Sequence, residues 1–313
     1  MWLIGAGPMA RDYGLVLQDI GTDYEVIGRG QRSAETLSRM LRAEVYSGGL
    51  ENHLTKFVPP STAIVAVGVV DLVSTTCTLL TAGVKRILVE KPAGLDVNQI
   101  KVLDDAARDA GAEVFVGFNR RFYASTLKAE SLVAEDGGVL SAHFEFTEWS
   151  HIIKELDMDP MVKENWVLAN SSHVIDLAFH FCGLPENLHA MVSGNLSWHS
   201  SAARFSGVGK TNRGVLLSYF ADWESSGRWS LELLTKNRRL FMSPMEELRC
   251  SRLGSVDIDK VTLDDRLDRA FKPGLHRQVA AFLTREDSRL CRLEEHLKNS
   301  FVYSQIAGYR VPV

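Results

Sequence analysis

Six residues constrain this chain more than any others. Gly5-Ala6-Gly7-Pro8-Met9-Ala10 lies between a short apolar run, Trp2–Ile4, and a helical pattern, Ala10–Asp19. A G-x-G-x-x-G/A turn at a strand-to-helix junction is shaped for a pyrophosphate: Gly5 permits the tight turn, Gly7 leaves space beside the backbone, and small Ala10 lets helix and strand pack closely. The helix N-terminus behind it supplies amides and a positive dipole end. Glycine-rich turns are common, so the motif gains weight only from the pattern of the next hundred or so residues. Only three residues of strand precede Gly5, which leaves open that the natural chain starts upstream of Met1.

That pattern is an alternation. Apolar, β-branched runs at Glu25–Ile27, Ala63–Val67, Arg86–Val89 and Val114–Gly117 are separated by helical patterns at Ala34–Arg42, Val70–Ala82 and Val97–Ala110. Continuous apolar strands between helices indicate a parallel sheet covered on both faces, a doubly wound Rossmann domain expected over residues 1–118. After Asn119 the texture changes. Long alternating segments at Ser141–Trp149, Ala190–Trp198, Gly214–Trp223, Arg228–Leu234 and Arg239–Met242 imply a large, mostly antiparallel sheet, and helical patterns at Leu275–Leu283 and Arg292–Ile306 close the chain. Residues 119–313 are therefore expected to form an α+β domain for substrate binding and oligomerisation, and the fold class is α/β.

Bulk properties narrow the partners. With 313 residues and 45% hydrophobic content, the chain can build two cores. Its formal net charge of -4 gives no basic surface for nucleic acid. The cysteines, Cys77, Cys182, Cys250 and Cys291, are widely separated and form no CxxC pair. Neither a signal-peptide pattern nor a bilayer-length apolar run is visible, and a cytoplasmic protein is expected.

The end of the second strand decides which dinucleotide fits. An acidic side chain there would accept from the ribose of NAD, but this strand ends Val26-Ile27-Gly28-Arg29-Gly30-Gln31-Arg32-Ser33. With glycine at the acidic position, and Arg29, Arg32 and Ser33 as donors to a 2′-phosphate, NADP(H) is favoured over NAD(H). The alternative is that both arginines are solvated charges and Glu25 is a displaced ribose acceptor.

A lysine ends the strand Lys85–Glu90, at the sheet edge where open α/β sheets bind ligands. By residue type alone, Glu90-Lys91-Pro92 reads equally well as a surface salt bridge at a turn. In this position, however, it resembles the EKP hallmark of the Gfo/Idh/MocA family of sugar and cyclitol dehydrogenases. Gly117-Phe118-Asn119-Arg120-Arg121-Phe122 resembles that family's exit from its Rossmann domain, and Asp176-Leu177-Ala178-Phe179-His180 its D-x-x-x-H segment. The resemblance implies that Lys91 contacts substrate and nicotinamide, often before a cis proline, and that Asp176 and His180 line the substrate pocket. Two departures stand out: Gly68-Val69-Val70-Asp71-Leu72 replaces the commoner Pro-Asn-x-x-His, and Asn170-Ser171-Ser172-His173 replaces the glycines that usually precede the D-x-x-x-H segment.

His173, Asp176 and His180 are spaced by three and four, which stacks them on one stripe of an otherwise apolar helix. Alcohol oxidation needs a base while hydride leaves, and histidine suits that task. The catalytic set expected is Lys91, His180 and Asp176. A satisfied buried network is the competing reading. Two histidines and an aspartate also suit zinc, but no other zinc signature is present and no metal is expected. Cofactor contacts are expected from Gly5, Gly7, Pro8, Met9, Ala10, Arg29, Arg32, Ser33, Val67, Gly68, Glu90, Lys91 and Pro92, and substrate contacts from Lys91, Asn119, Arg120, Tyr123, Trp166, His173, Asp176 and His180. Arg121 and Asn165 lie near these motifs in sequence, and the segment Lys272–Arg277 is a further loop candidate.

The function expected is an NADP-dependent oxidoreductase moving hydride between nicotinamide and a hydroxyl or keto carbon of a sugar, sugar derivative or nucleotide sugar. The alternatives are a retained-cofactor lyase or glycosidase on the same scaffold, and a non-catalytic dinucleotide-sensing subunit. A homodimer or homotetramer through the second sheet is expected.

Overall fold

The computed structural model describes residues 1–310. The chain forms two compact units: Met1–Asn119 with Leu267–Leu297, and Arg120–Arg266 with the residues from Lys298 onward. The first unit opens with six strands, β1 (Trp2–Ile4), β2 (Glu25–Ile27), β3 (Val45–Tyr46), β4 (Thr62–Val65), β5 (Arg86–Val89) and β6 (Glu113–Val116). Five helices connect them: α1 (Pro8–Ile20), α2 (Gln31–Leu41), α3 (Gly49–Leu54), α4 (Leu72–Thr81) and α5 (Val97–Asp109). The order β6-β5-β4-β1-β2-β3, parallel throughout, follows from strands buried on both faces and fed by right-handed crossovers. The strand order reverses between β1 and β4, so the carboxyl ends of these strands open a crevice where the connections diverge.

The second unit contains α6 (Ala124–Glu135), β7 (Ser141–Phe146), the short helices α7 (Ser150–Lys154) and α8 (Pro160–Glu164), a π-helical turn at Val167–Ser171 that runs into α9 (Ser172–Cys182), and β8 (Pro185–Ser193), β9 (Arg204–Thr211), β10 (Leu216–Asp222), β11 (Trp229–Leu234), β12 (Arg238–Met242), β13 (Arg249–Arg252) and β14 (Asp259–Lys260). These eight strands form one sheet in the order β14-β13-β12-β11-β7-β10-β9-β8, antiparallel except where β7 meets β10. Alternate residues of β7, β10 and β11 point into a core built on Phe144, Phe146, Tyr219 and Leu231, and α9 covers that face. The opposite face keeps Met191, Val208, Leu216 and Phe220 exposed.

Four elements end the chain: α10 (Arg266–Ala270), α11 (Leu275–Thr284), β15 (Cys291–Arg292) and α12 (Leu293–Ala307). The sequence pattern expects 119–313 as one continuous domain, but residues 267–297 group with the first unit. The reason is Arg86, a charged residue buried in a central strand. Its guanidinium donates to the Phe282 carbonyl and to Asp287, and sits between the Phe115 and Phe282 rings, 4.7 and 4.8 Å from their centroids. A buried cation needs such partners. β15 then adds an antiparallel seventh strand beside β6. Among the described residues, no helix is long and apolar enough to cross a membrane.

Candidate functional site

In the first unit, β1 ends at Gly5, whose φ of +129° suits glycine alone. A side chain there would overlap the Ala66 carbonyl at the end of β4. Gly7 faces open space, and the helix after it starts with Pro8 and has no side-chain cap. The first amides of α1 are thus left for an external acceptor, the arrangement that binds phosphate. Ala10 is fully buried against the sheet. Val67 and Gly68 follow β4 on the same edge. One further cation appears here: the Lys272 ammonium, from the turn before α11, reaches Met9 Sδ at 2.6 Å. That turn belongs to the loop segment expected from sequence, but its approach to the phosphate-binding helix is a long-range contact.

Gly28 is held between backbone bonds, its N–H donating to Tyr46 O and its carbonyl accepting from Gly49 N. A Cβ at this position would lie 2.9 Å from that of Ala6, so no carboxylate can stand there. Arg29, Arg32 and Ser33 are all exposed. The Arg29 guanidinium lies 3.3 Å from Asp71, and the Ser33 hydroxyl donates to the Gly30 carbonyl. Glu25, the alternative ribose acceptor, starts β2 and accepts from the Trp2 indole at 2.8 Å, at the opposite end of the strand from the crevice. It cannot serve that role from there.

Glu90 ends β5 as a buried carboxyl. The buried Tyr13 hydroxyl donates to it at 2.6 Å, and a side chain on Gly117 would crowd it. Burial pushes its pKa up, while the Tyr13 bond and the charges of Lys91 and Lys272 pull it down. Glu90 is thus an anchor for the turn. Lys91 is half-buried, and the Lys91–Pro92 peptide is cis, as the resemblance implies. The Pro92 carbonyl accepts from His296 Nε2 at 2.8 Å, and the Asn119 amide donates to Pro273 O at 2.8 Å, so the returning segment braces this edge of the first unit.

In the second unit, the three polar residues of α9 do not form one cluster. Asp176 is 1% exposed and takes both arms of the equally buried Arg121, at 2.6 and 2.8 Å, with the Tyr303 hydroxyl at 3.5 Å. The carboxylate expected to line the substrate pocket is thus paired with a buried charge inside the unit. His180, in the last turn, hydrogen-bonds Glu130 of α6 through Nε2 at 2.7 Å. His173, in the first turn, lies against Trp229, with ring centroids 6.2 Å apart.

Near His173 the structure brings Arg120, a substrate candidate from sequence, together with residues that no sequence motif singles out. Glu148, just past β7, accepts from Ser171 and Asn170 of the π-helical turn at 2.7 and 3.0 Å, and lies 3.3 Å from Arg228. Burial raises its pKa against those bonds. Arg120 and Arg228 both lie over Trp229, at 4.6 and 5.0 Å from the ring centroid. The one signal in the sequence is an acid beside a tryptophan at the end of a strand, which is too common to single out. Of the other substrate candidates, Tyr123 packs 5.7 Å beneath the Arg120 guanidinium, and Trp166 is buried edge-on against Trp198. Asn165 turns its amide back to the Met161 carbonyl and closes its own helix. Among the described residues, no three His, Cys, Asp or Glu side chains are grouped to hold a metal ion.

Residues 1–118 match the model of an oxidoreductase family with an NAD-binding Rossmann fold, GFO_IDH_MocA. That stretch is similar to the Rossmann domain of these oxidoreductases. Solved structures share the fold over nearly the whole chain. The UDP-N-acetylglucosamine 3-dehydrogenase of Acidithiobacillus ferrooxidans superposes with a TM-score of 0.75 at 16% identity, over 98% of this chain and 96% of its own. A levoglucosan dehydrogenase in complex with NADH gives 0.79 at 15% identity, over 98% and 96%. An oxidoreductase from Agrobacterium radiobacter, with NAD+, L-tartaric acid and magnesium bound, gives 0.77 at 13%, over 97% and 93%. No curated protein sequence matches the chain.

Proposed function

We propose that this chain is an NADP(H)-preferring dehydrogenase or reductase acting on a hydroxyl or keto carbon of a sugar, sugar derivative or nucleotide sugar. The observation that carries the reading is the crevice edge of the first unit, where an uncapped helix N-terminus beside Gly7 shares one sheet edge with the lysine of Glu90-Lys91-Pro92. The residues present fit a dinucleotide: α1 amides for the pyrophosphate, and Arg29, Arg32 and Ser33 for a 2′-phosphate that no carboxylate at position 28 repels. When bound, the nicotinamide supplies the hydride acceptor.

Lys91 holds the reacting hydroxyl by a charge-assisted hydrogen bond and favours its alkoxide form. A proton acceptor must complete the reaction. Of the two histidines on α9, the reading takes His173, whose ring lies against Trp229 beside the Arg120 and Arg228 guanidiniums. In this reading, Asp176 and His180 hold α9 in place. Four free cysteines suit a reducing compartment, and the cytoplasm is the location proposed. The exposed apolar face of the second sheet is the surface proposed for a homodimer or homotetramer.

The deciding experiment is a screen of sugars, sugar acids and nucleotide sugars with NADP and NAD in turn, following nicotinamide absorbance. Stoichiometric reduced cofactor supports a dehydrogenase. Product formed without net reduction points to retained-cofactor elimination or glycoside cleavage, and binding without turnover to a sensing subunit.

A further inference from the structure

Arg120 is an unusual residue. Its guanidinium lies over the Trp229 indole and near the Tyr123 ring, and its Nε is sealed from solvent without a hydrogen-bond partner. Among the described residues, no carboxylate comes within ion-pair distance of it. A largely buried cation in that condition is expensive, and proteins otherwise give such groups a partner. The contrast lies one residue on, where Arg121 is fully satisfied by Asp176. Arg228 adds a second positive charge on the same indole, and the repulsion between the two guanidiniums is only partly offset by Glu148, whose ion contact goes to Arg228. Glu246 and Glu148 both act on Arg120 through space, but neither forms an ion pair with it. Cation–π contacts stabilise each guanidinium without using its in-plane donors, of which Arg228 gives one to Glu148.

We infer that Arg120 and Arg228 form an anion-binding subsite on the second unit, and that the substrate is a sugar derivative carrying a carboxylate or phosphate group. The inference rests on the dehydrogenase reading and narrows its substrate class. A guanidinium stacked over an indole keeps N–H donors in its own plane, and a pair of such donors can grip carboxylate or phosphate oxygens with two parallel bonds. Trp229 is itself buried in the sheet, so it is a fixed platform that sets the direction of both arginines. The anion removes the mutual repulsion of the two arginines and gives Arg120 the partner that the fold withholds.

The test measures binding of D-glucuronate, D-glucose 6-phosphate and D-glucose to the full chain with NADP bound, by calorimetry and by quenching of tryptophan fluorescence. At least one anionic sugar is expected to bind about tenfold or more tighter than glucose, in line with a charge-assisted hydrogen bond, and which one does so tells carboxylate from phosphate. The preference should weaken as salt rises. Arg120→Met should abolish it and Arg120→Lys should keep part of it. Arg228→Met, at a half-exposed position, should reduce it even if the Arg120 variants fold poorly. Equal binding of charged and neutral sugars, no binding of either anionic probe, or an anion preference that survives both methionine variants would overturn the subsite. Cofactor reduction with any sugar is read separately. Turnover of sugars with no preference for the anionic ones would leave the dehydrogenase standing and remove the subsite, whereas anion binding with no turnover on any sugar would keep the subsite and remove the dehydrogenase.

Discussion

At the first turn of α9, His173 packs against an indole flanked by two guanidiniums, whereas two turns later His180 pairs with a carboxylate on α6. The two lie on the same stripe of one helix, yet seven residues at about 1.5 Å rise separate them by roughly 10 Å. Each meets a different neighbour. Between them, Asp176 is locked to Arg121. Helical spacing decides which residues share a face; the elements packed along that face decide what each residue can do.

The largest effect expected separates the two ends of the helix directly. If His173 transfers the proton, His173→Asn lowers kcat by about 10²–10⁴ with cofactor affinity unchanged, and His180→Asn leaves kcat within a few-fold. The opposite outcome, measured on whichever substrate the screen yields, would return the catalytic role to His180. At the middle of the helix, Asp176→Ala removes the carboxylate from the buried pair with Arg121 and should lower unfolding free energy by about 3–5 kcal/mol in denaturant titration. An unchanged midpoint would mean that the pair is not buried in solution and that Asp176 is available to substrate after all.

Five strands of the first unit are legible in the sequence because strands buried on both faces are continuous apolar runs, and the Gly5–Ala10 turn announces itself by residues that no other geometry requires, whereas β3 and β15, two residues each, are too short to show a run. Two features of the second unit are not legible either. β9, with the sequence Arg-Phe-Ser-Gly-Val-Gly-Lys-Thr, hides its alternation behind two glycines; Gly207 is needed because any side chain there would strike the Tyr219 ring. The grouping of Arg120, Glu148, Arg228 and Trp229 is equally opaque, since these residues come from separated stretches and meet only through the pairing of β7 with β11 and the turn before α9. Local patterning carries no information about such meetings.

Two smaller effects distinguish the units themselves. In the first unit, Arg29→Ala should weaken NADP by about tenfold and spare NAD, as loss of one charged hydrogen bond to phosphate requires. Equal affinity of the unmutated protein for both dinucleotides, measured by fluorescence titration, would assign Arg29 to its ion pair with Asp71 instead. In the second unit, the exposed apolar face should make the solution mass at micromolar concentration a multiple of 34.8 kDa. A monomer in sedimentation equilibrium would leave Met191, Val208, Leu216 and Phe220 without an assigned cover.

The Arg86 clasp governs how this protein can be taken apart. Because its guanidinium is satisfied by a carbonyl and a carboxylate some two hundred positions later as well as by Glu113, a fragment ending at Asn119 would leave that cation with Glu113 alone and β6 with an unprotected edge. The second unit is topologically an insertion into the first, much as a guest domain is spliced into a host loop. A stable isolated nucleotide-binding half would have to be made by excision, joining Asn119 to Leu267 through a short linker and ending the chain within α12, and not by truncation.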